Sequence, residues 1–162
     1  VAENDEQSLY AAMYFGSESS WFIKIMGDST LAKVDTVLAI SSCKGGVGKS
    51  TIAAQLARSM QREGLRVGLL DTDIYGPSVP TLFNMHRPEL MMRDNMLIPM
   101  DVDGLKIMSL GFVLGDSPAV MRGPMVSGYV QQIMTQTDWG ELDYLLIDMP
   151  PGTGDIQLTL VQ

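Results

Sequence analysis

Cys43-Lys44-Gly45-Gly46-Val47-Gly48-Lys49-Ser50-Thr51 is a glycine-rich run with a lysine near each end. A loop of the form G-x-x-x-x-G-K-S/T wraps phosphates in backbone N–H groups, neutralises them with its lysine and offers its hydroxyl to Mg²⁺. Gly48, Lys49 and Ser50 fill the last three places of that pattern. The first glycine would fall at Cys43, and Lys44 instead brings a second lysine into the loop. Val37-Leu38-Ala39-Ile40, just upstream, is a continuous apolar run suited to a buried parallel strand, and Ile52, Ala53, Leu56 and Met60 follow at helical spacing. Strand, loop and helix thus come in the order a phosphate site needs. Lys44, Gly45, Gly46, Val47, Gly48, Lys49, Ser50 and Thr51 are the candidate nucleotide contacts.

Outward from the loop a βαβ rhythm continues. The pattern predicts a strand over 36–41, a helix from about Ser50 to Glu63 stopped by Gly64, and a strand Val67-Gly68-Leu69-Leu70 ending in Asp71. A Pro-, Gly-, Asn- and Met-rich loop follows over 74–104, with a short helix near Ser78 to Phe83. Leu105 to Leu110 reads as the next strand, and Pro124 opens a helix that aligns Val126, Val130, Ile133 and Met134. Leu142 to Asp148 is another strand, Pro150 to Gly154 a tight loop, and Asp155 the cap of a further helix. Residues 1–34 carry no motif and are expected to form an N-terminal extension with one amphipathic turn near Tyr10 to Phe15; 35–162 form the nucleotide-binding domain. The expected fold is α/β, of the P-loop NTPase type, a mainly parallel sheet flanked by helices. A half-sheet of this size leaves an apolar edge uncovered, so a longer domain truncated at its C-terminus is expected.

Composition narrows the function. The chain has 162 residues, 46% of them hydrophobic, enough for one domain with a sizeable core. A net charge of -8 opposes a nucleic-acid footprint. Cys43 is the single cysteine, which excludes an internal disulfide and a multi-thiolate metal site within one copy. No apolar run has the length of a membrane span, so a soluble protein is expected, with neither nucleic acid nor membrane as partner. Glu3, Asp5, Glu6 and Glu18 make the N-terminal stretch unlike an acid-poor transit peptide.

Three carboxylates, Asp71, Asp73 and Asp148, fall at the carboxyl ends of predicted strands, where a nucleotide site in an open α/β sheet lies. Asp148 is placed to hold Mg²⁺ through its water shell together with Ser50, Asp73 to orient a water attacking a γ-phosphate, and Asp71 to assist the metal. The competing reading of each is a strand-end Asp capping a turn. Lys44 is either a solvated loop charge or a second phosphate cation, within one chain or across a dimer interface. Cys43 reads as a small packing residue beside the phosphates and His86 as an exposed loop residue. Arg122 reads equally as a phosphate or partner contact and as a helix-start salt bridge. Met85, Met91, Met92, Met96 and Met100 read as flexible packing under the loop, and Trp139 as packing at the end of its helix.

SSCKGGVGKST at 41–51, DTDIYGPSVPTLFN at 71–84, MRGPMVSG at 121–128 and WGELDYLLIDMPPGTGDIQLTL at 139–160 resemble the Mrp-type iron-sulfur cluster carrier ATPases. Within that family the wording is most similar to the plastid high-chlorophyll-fluorescence branch, whose loop also begins with Cys. The resemblance implies the deviant-Walker fold shared with nitrogenase iron protein and the partitioning ATPases. It implies a Mg-dependent ATPase that works as a homodimer sandwiching two ATP molecules, with Lys44 reaching the partner's phosphates. Lys44 and Asp73 are then catalytic, Asp71 and Asp73 form the first switch, and Asp148 begins the second. The implied role is iron-sulfur protein assembly by delivery to recipient apoproteins, in the plastid stroma, mitochondrion or cytoplasm. The family's cluster ligands are a Cys-x-x-Cys pair beyond the last residue here. No iron-sulfur ligand is therefore expected in this chain, and a 4Fe-4S cluster only in the complete protein. Two alternatives stand beside this reading: a partition or positioning ATPase cycling on DNA or membrane, which the acidity opposes, and a non-catalytic fragment.

Overall fold

Aromatic and branched residues set the first local structure. Tyr10–Phe15 (β1) and Ser19–Lys24 (β2) pair antiparallel, with Ala12 opposite Phe22 and Met13 opposite Trp21. A strand therefore replaces the helical turn expected near Tyr10, in keeping with the β preference of Tyr, Phe, Trp and Ile. The computed structural model describes residues 10–15, 19–24, 31–42, 44–74, 76–85, 88–114 and 123–151. The expectations for Cys43, His86, Arg122, the 152–154 loop and the Asp155 helix lie outside the described residues.

The βαβ run begins with Val34–Ile40 (β3), crosses through Lys49–Arg62 (α1) and returns as Val67–Asp71 (β4). Val79–Leu82 (α2) follows, then the short strands Met92–Arg93 (β5), Met96–Leu97 (β6) and Met100–Val102 (β7). Leu105–Ser109 (β8) leads directly into Leu110–Leu114 (α3), and Gly123–Gln136 (α4) precedes Leu142–Asp148 (β9). The main sheet has the order β3-β9-β4-β8-β7, parallel except for β7, which pairs antiparallel with β8. The stretch expected as plain loop thus holds two hairpins. Their turns carry positive φ at Asp94 and Asn95 (50° and 65°) and at Asp103 and Gly104 (55° and 90°), the backbone that two-residue hairpins require.

Helices cover both faces of the sheet. Ala53, Ala54 and Ala57 of α1 are small enough to lie close over Leu69, Ile107 and Leu146. On the other face Val130, Ile133 and Met134 of α4, at the predicted helical spacing, pack with Trp139 onto Val37, Leu70, Leu145 and Ile147. Neighbouring residues of β9 serve opposite faces, which is why Leu145 to Ile147 reads as an unbroken apolar run. Leu31, upstream of the boundary drawn at residue 34, is buried in the α4-side core. Trp139 is fully buried, and its indole N–H donates to the Met134 carbonyl at 3.0 Å. Met85 packs against the α1-side core, whereas Met91 and Met92 are exposed, so the methionine stretch is only partly packing.

Gly68 shows how tightly this sandwich closes. A Cβ there would stand 2.7 Å from Leu142 Cδ1, 2.9 Å from Leu145 Cδ1 and 3.1 Å from Trp139 Cε3. All three neighbours are fully buried or nearly so and cannot swing into solvent. Gly68→Ala should therefore lower unfolding stability by about 1–3 kcal/mol, read as a shift in the urea midpoint at unchanged slope. An unshifted midpoint would mean that the sheet relaxes freely at this point.

Register is what positions the site. Ile40 pairs with Asp148, Asp148 with Asp71, and Asp71 with Ser109. Four strand ends stand in one row, so the loops that leave them converge at a single edge of the sheet.

Candidate functional site

The loop after β3 has the backbone its glycines anticipated. Gly46 and Gly48 have φ of 75° and 90°, and a Cβ at either would meet nothing within 4 Å. Both face open space. Gly48 also starts α1, accepting the Ile52 N–H at 2.9 Å, and the helix has neither a side-chain cap nor an acidic residue in its first turn. Its first N–H groups and the positive end of its dipole are thus directed at the cleft, an arrangement suited to an anion. Lys44, Gly45, Gly46, Gly48, Lys49, Ser50 and Thr51 line a cleft of about 450 Å³, and Asp73 lines it as well. The Val47 side chain points into solvent, 57% exposed. Ser42, Gly76, Ser78 and Pro151 complete the lining, four residues the sequence reading missed. Gly76 and Ser78 carried a signal, lying five and seven residues beyond the strand-end Asp71; Ser42 and Pro151 carried none.

Lys49 is 8% exposed, and its Nζ donates to Asp148 Oδ1 and, at 3.2 Å, to Ser50 Oγ. An ammonium has three donors, so one remains for a phosphate oxygen. Asp148 is fully buried, and its Oδ2 has no hydrogen-bond partner among the described residues. Burial pushes its carboxyl above the usual range, against the opposing effect of Lys49 and Ser50. A buried oxygen left in this way beside a hydroxyl fits Mg²⁺, a hard cation that takes one or two protein oxygens and keeps several waters. Among the described residues there is no cluster of three or more His, Cys, Asp or Glu that could hold a metal by itself.

Asp71 is placed differently from what its strand-end position suggested. It is fully buried and does not line the cleft. Oδ1 accepts the Asp73 N–H at 3.0 Å, and Oδ2 accepts the Val79 N–H at 3.3 Å and the Ser109 hydroxyl at 3.2 Å. Burial raises its carboxyl to about 7, with Asp148 adding to the rise and these three donors opposing it. This geometry makes Asp71 the anchor of the 72–79 segment rather than a group facing a metal. Asp73 is half-buried, and its Oδ1 accepts the Gly76 N–H at 3.2 Å. Thr72 ties the start of the segment to β9, donating its N–H at 3.0 Å and its hydroxyl at 2.8 Å to the Asp148 carbonyl.

A parallel sheet with this loop at its carboxyl edge defines a P-loop NTPase, with Lys44 marking the deviant-Walker class. A family model described as ParA, NUBPL iron-transfer P-loop NTPase, matches residues 33–162, and the chain belongs to that family. It is 54% identical over 134 residues to the chloroplastic Fe-S cluster assembly factor HCF101 of Arabidopsis thaliana, covering 82% of this chain and 25% of that protein. It is 55% identical over 137 residues to the iron-sulfur cluster carrier protein of Pseudomonas fragi, covering 82% of this chain and 47% of that one. The ADP complex of a nucleotide-binding protein from Archaeoglobus fulgidus superposes with a TM-score of 0.70 at 41% identity, covering 81% of this chain and 51% of that one. The chain thus spans between a quarter and about half of the length of these relatives. No helix among the described residues is long and apolar enough to cross a membrane.

Proposed function

We propose that this chain is the nucleotide-binding part of an ATP-hydrolysing carrier of iron-sulfur clusters, working as a homodimer in iron-sulfur protein assembly. The observation that carries the reading is one cleft lined by the two-lysine loop and Asp73, with Lys49 bonded to the buried Asp148 behind it. The names of the relatives support the cargo. In this reading the N–H groups of the 44–51 loop cradle the phosphates and Lys49 neutralises them. Ser50 and Asp148 Oδ2 are the groups that would hold Mg²⁺, which would supply positive charge beside the phosphate oxygens. Asp73 orients the water that attacks the γ-phosphate. The nucleotide unit occupies 35–162, with 1–34 as an N-terminal extension. A 4Fe-4S cluster takes four thiolates and the chain has one cysteine, so the cluster is cargo of the complete protein, passed on to recipient apoproteins. ATP closes the dimer and hydrolysis reopens it, changing how tightly the cargo is held.

Lys44 is exposed on the rim of the cleft, free to reach a second copy's phosphates. Lys44→Ala is expected to bind a fluorescent ATP analogue with nearly unchanged affinity while turnover falls roughly 10³-fold, the scale of a cation acting only in the transition state. Equal loss of binding and turnover would place Lys44 in ground-state binding and remove the dimer argument. The cargo is tested by transfer from the reconstituted complete protein to an apo acceptor. Transfer rates that ignore ATP would sink the carrier reading.

A further inference from the structure

The cleft wall formed by Asp73, Gly76 and Ser78 belongs to the 72–79 segment, and the segment hangs from the buried Asp71 carboxylate. Backbone N–H groups bind that carboxylate at both ends of the segment, and Asp71, the last residue of β4, ties them to the sheet through its own side chain. The donor that comes from elsewhere is Ser109, at the end of the neighbouring strand and level with Asp71. Ser109 is fully buried, and its oxygen accepts the Gly111 N–H at 3.0 Å, which directs its proton to Asp71 Oδ2 at 3.2 Å. A second contact joins the same two pieces of chain. A Cβ on Gly111 would stand 2.8 Å from Pro77 Cβ and 2.9 Å from Pro77 Cγ, so the first turn of α3 lies directly against the middle of the segment.

We propose that Ser109 is a positioning residue of the nucleotide site: its hydroxyl sets the Asp71 carboxylate, which holds the Asp73 backbone, and so ties Asp73 to the β8–α3 junction. The inference deepens the reading of Asp73 as the water-orienting group and rests on it. Among the described residues, the bonds that run from Ser109 through Asp71 to the Asp73 N–H do not involve the 44–51 loop. Loss of the Ser109 hydroxyl therefore displaces the chemistry and leaves the grip on ATP intact. A merely structural Ser109 would affect neither selectively.

Ser109→Ala removes the donor without adding bulk. Turnover of ATP should fall about 10- to 100-fold, the cost of a small misplacement at the reacting centre, with the Kd of a fluorescent ATP analogue within about two-fold of the parent. Ser109→Cys, close in volume and a weaker donor, should fall between the two, and stands in if the alanine variant does not fold. Gly111→Ala, which presses on Pro77 from α3, should lower turnover in the same selective way. Amide hydrogen exchange in the protein without added nucleotide gives the independent reading: Asp73 and Val79 should exchange faster in Ser109→Ala than in the parent, with the α1 amides unchanged. Unchanged exchange at both residues overturns the proposal whatever turnover does. Equal weakening of binding and turnover overturns it as well. A parent protein that hydrolyses no ATP removes the proposed activity, yet the exchange measurement still decides whether Ser109 places Asp73.

Discussion

Lys49→Ala should raise the Kd for ATP by about 100-fold and, in the same variant, weaken the fold in a pH-dependent way. The binding loss follows from removing a charge-assisted bond worth about 3 kcal/mol at most to the phosphates. The stability loss comes from Asp148, which is fully buried, has no hydrogen-bond partner at Oδ2 among the described residues, and would lose its cation at Oδ1. Breaking a buried ion pair from one side costs about 3–5 kcal/mol when the remaining charge has no outlet. Asp148 has one, since burial already raises its pKa and loss of Lys49 raises it further. With the folded carboxyl titrating above the unfolded one, the native state binds more protons, and stability falls as pH rises between the two values. The deficit of Lys49→Ala should therefore be small in mild acid and grow toward neutral and alkaline pH. Urea unfolding of parent and variant at pH 5 and pH 8 measures it. A variant as stable as the parent at both would show that the pair contributes nothing to the resting protein.

The second large effect separates two carboxylates, Asp73 on the cleft wall and Asp148 buried behind Lys49. Asp73→Asn should lower kcat by about 10²- to 10⁴-fold, the range for loss of a positioned acid–base group, with ATP binding nearly unchanged. Asp73 lines the cleft from the 72–79 segment, while Asp148 bonds the loop lysine itself. Asp148→Asn should accordingly depress turnover and also weaken the Mg²⁺-dependent part of binding. Titrating Mg²⁺ against both variants decides the assignment. Rescue of Asp73→Asn by added Mg²⁺, with no rescue of Asp148→Asn, would exchange the two roles.

The legible parts of this protein are those written in contiguous chain. The strands at Val34–Ile40, Val67–Asp71 and Leu142–Asp148, and the helices α1 and α4, lie where apolar periodicity placed them. Two elements were written just as locally and passed over. Asp103-Gly104 between Val102 and Leu105 is a hairpin turn signal, and Asp94-Asn95 adopts the same left-handed backbone, yet the Pro, Gly, Asn and Met around them read as one long loop. The hairpin of β1 and β2 was hidden by its Ala-Ala-Met centre, which suits a helix as well as a strand.

By itself the sequence determined the phosphate loop, because Gly46 and Gly48 need only their missing Cβ atoms to adopt positive φ, and Lys49 and Ser50 follow them in the chain. It also determined that Asp71, Asp73 and Asp148 end or follow buried strands. Strand order was decided only in three dimensions. β9 enters between β3 and β4, which brings Asp148 onto Lys49 across 99 positions of sequence, and β8 pairs with β4 on its other side, which sets Asp71 level with Ser109. That order also divides two similar carboxylates: Asp71 turns into the protein to hold a loop, while Asp73 lines the cleft. Their fates diverge because burial and hydrogen-bond partners belong to the neighbours a residue acquires on folding, and those neighbours lie on strands that no local pattern puts in order.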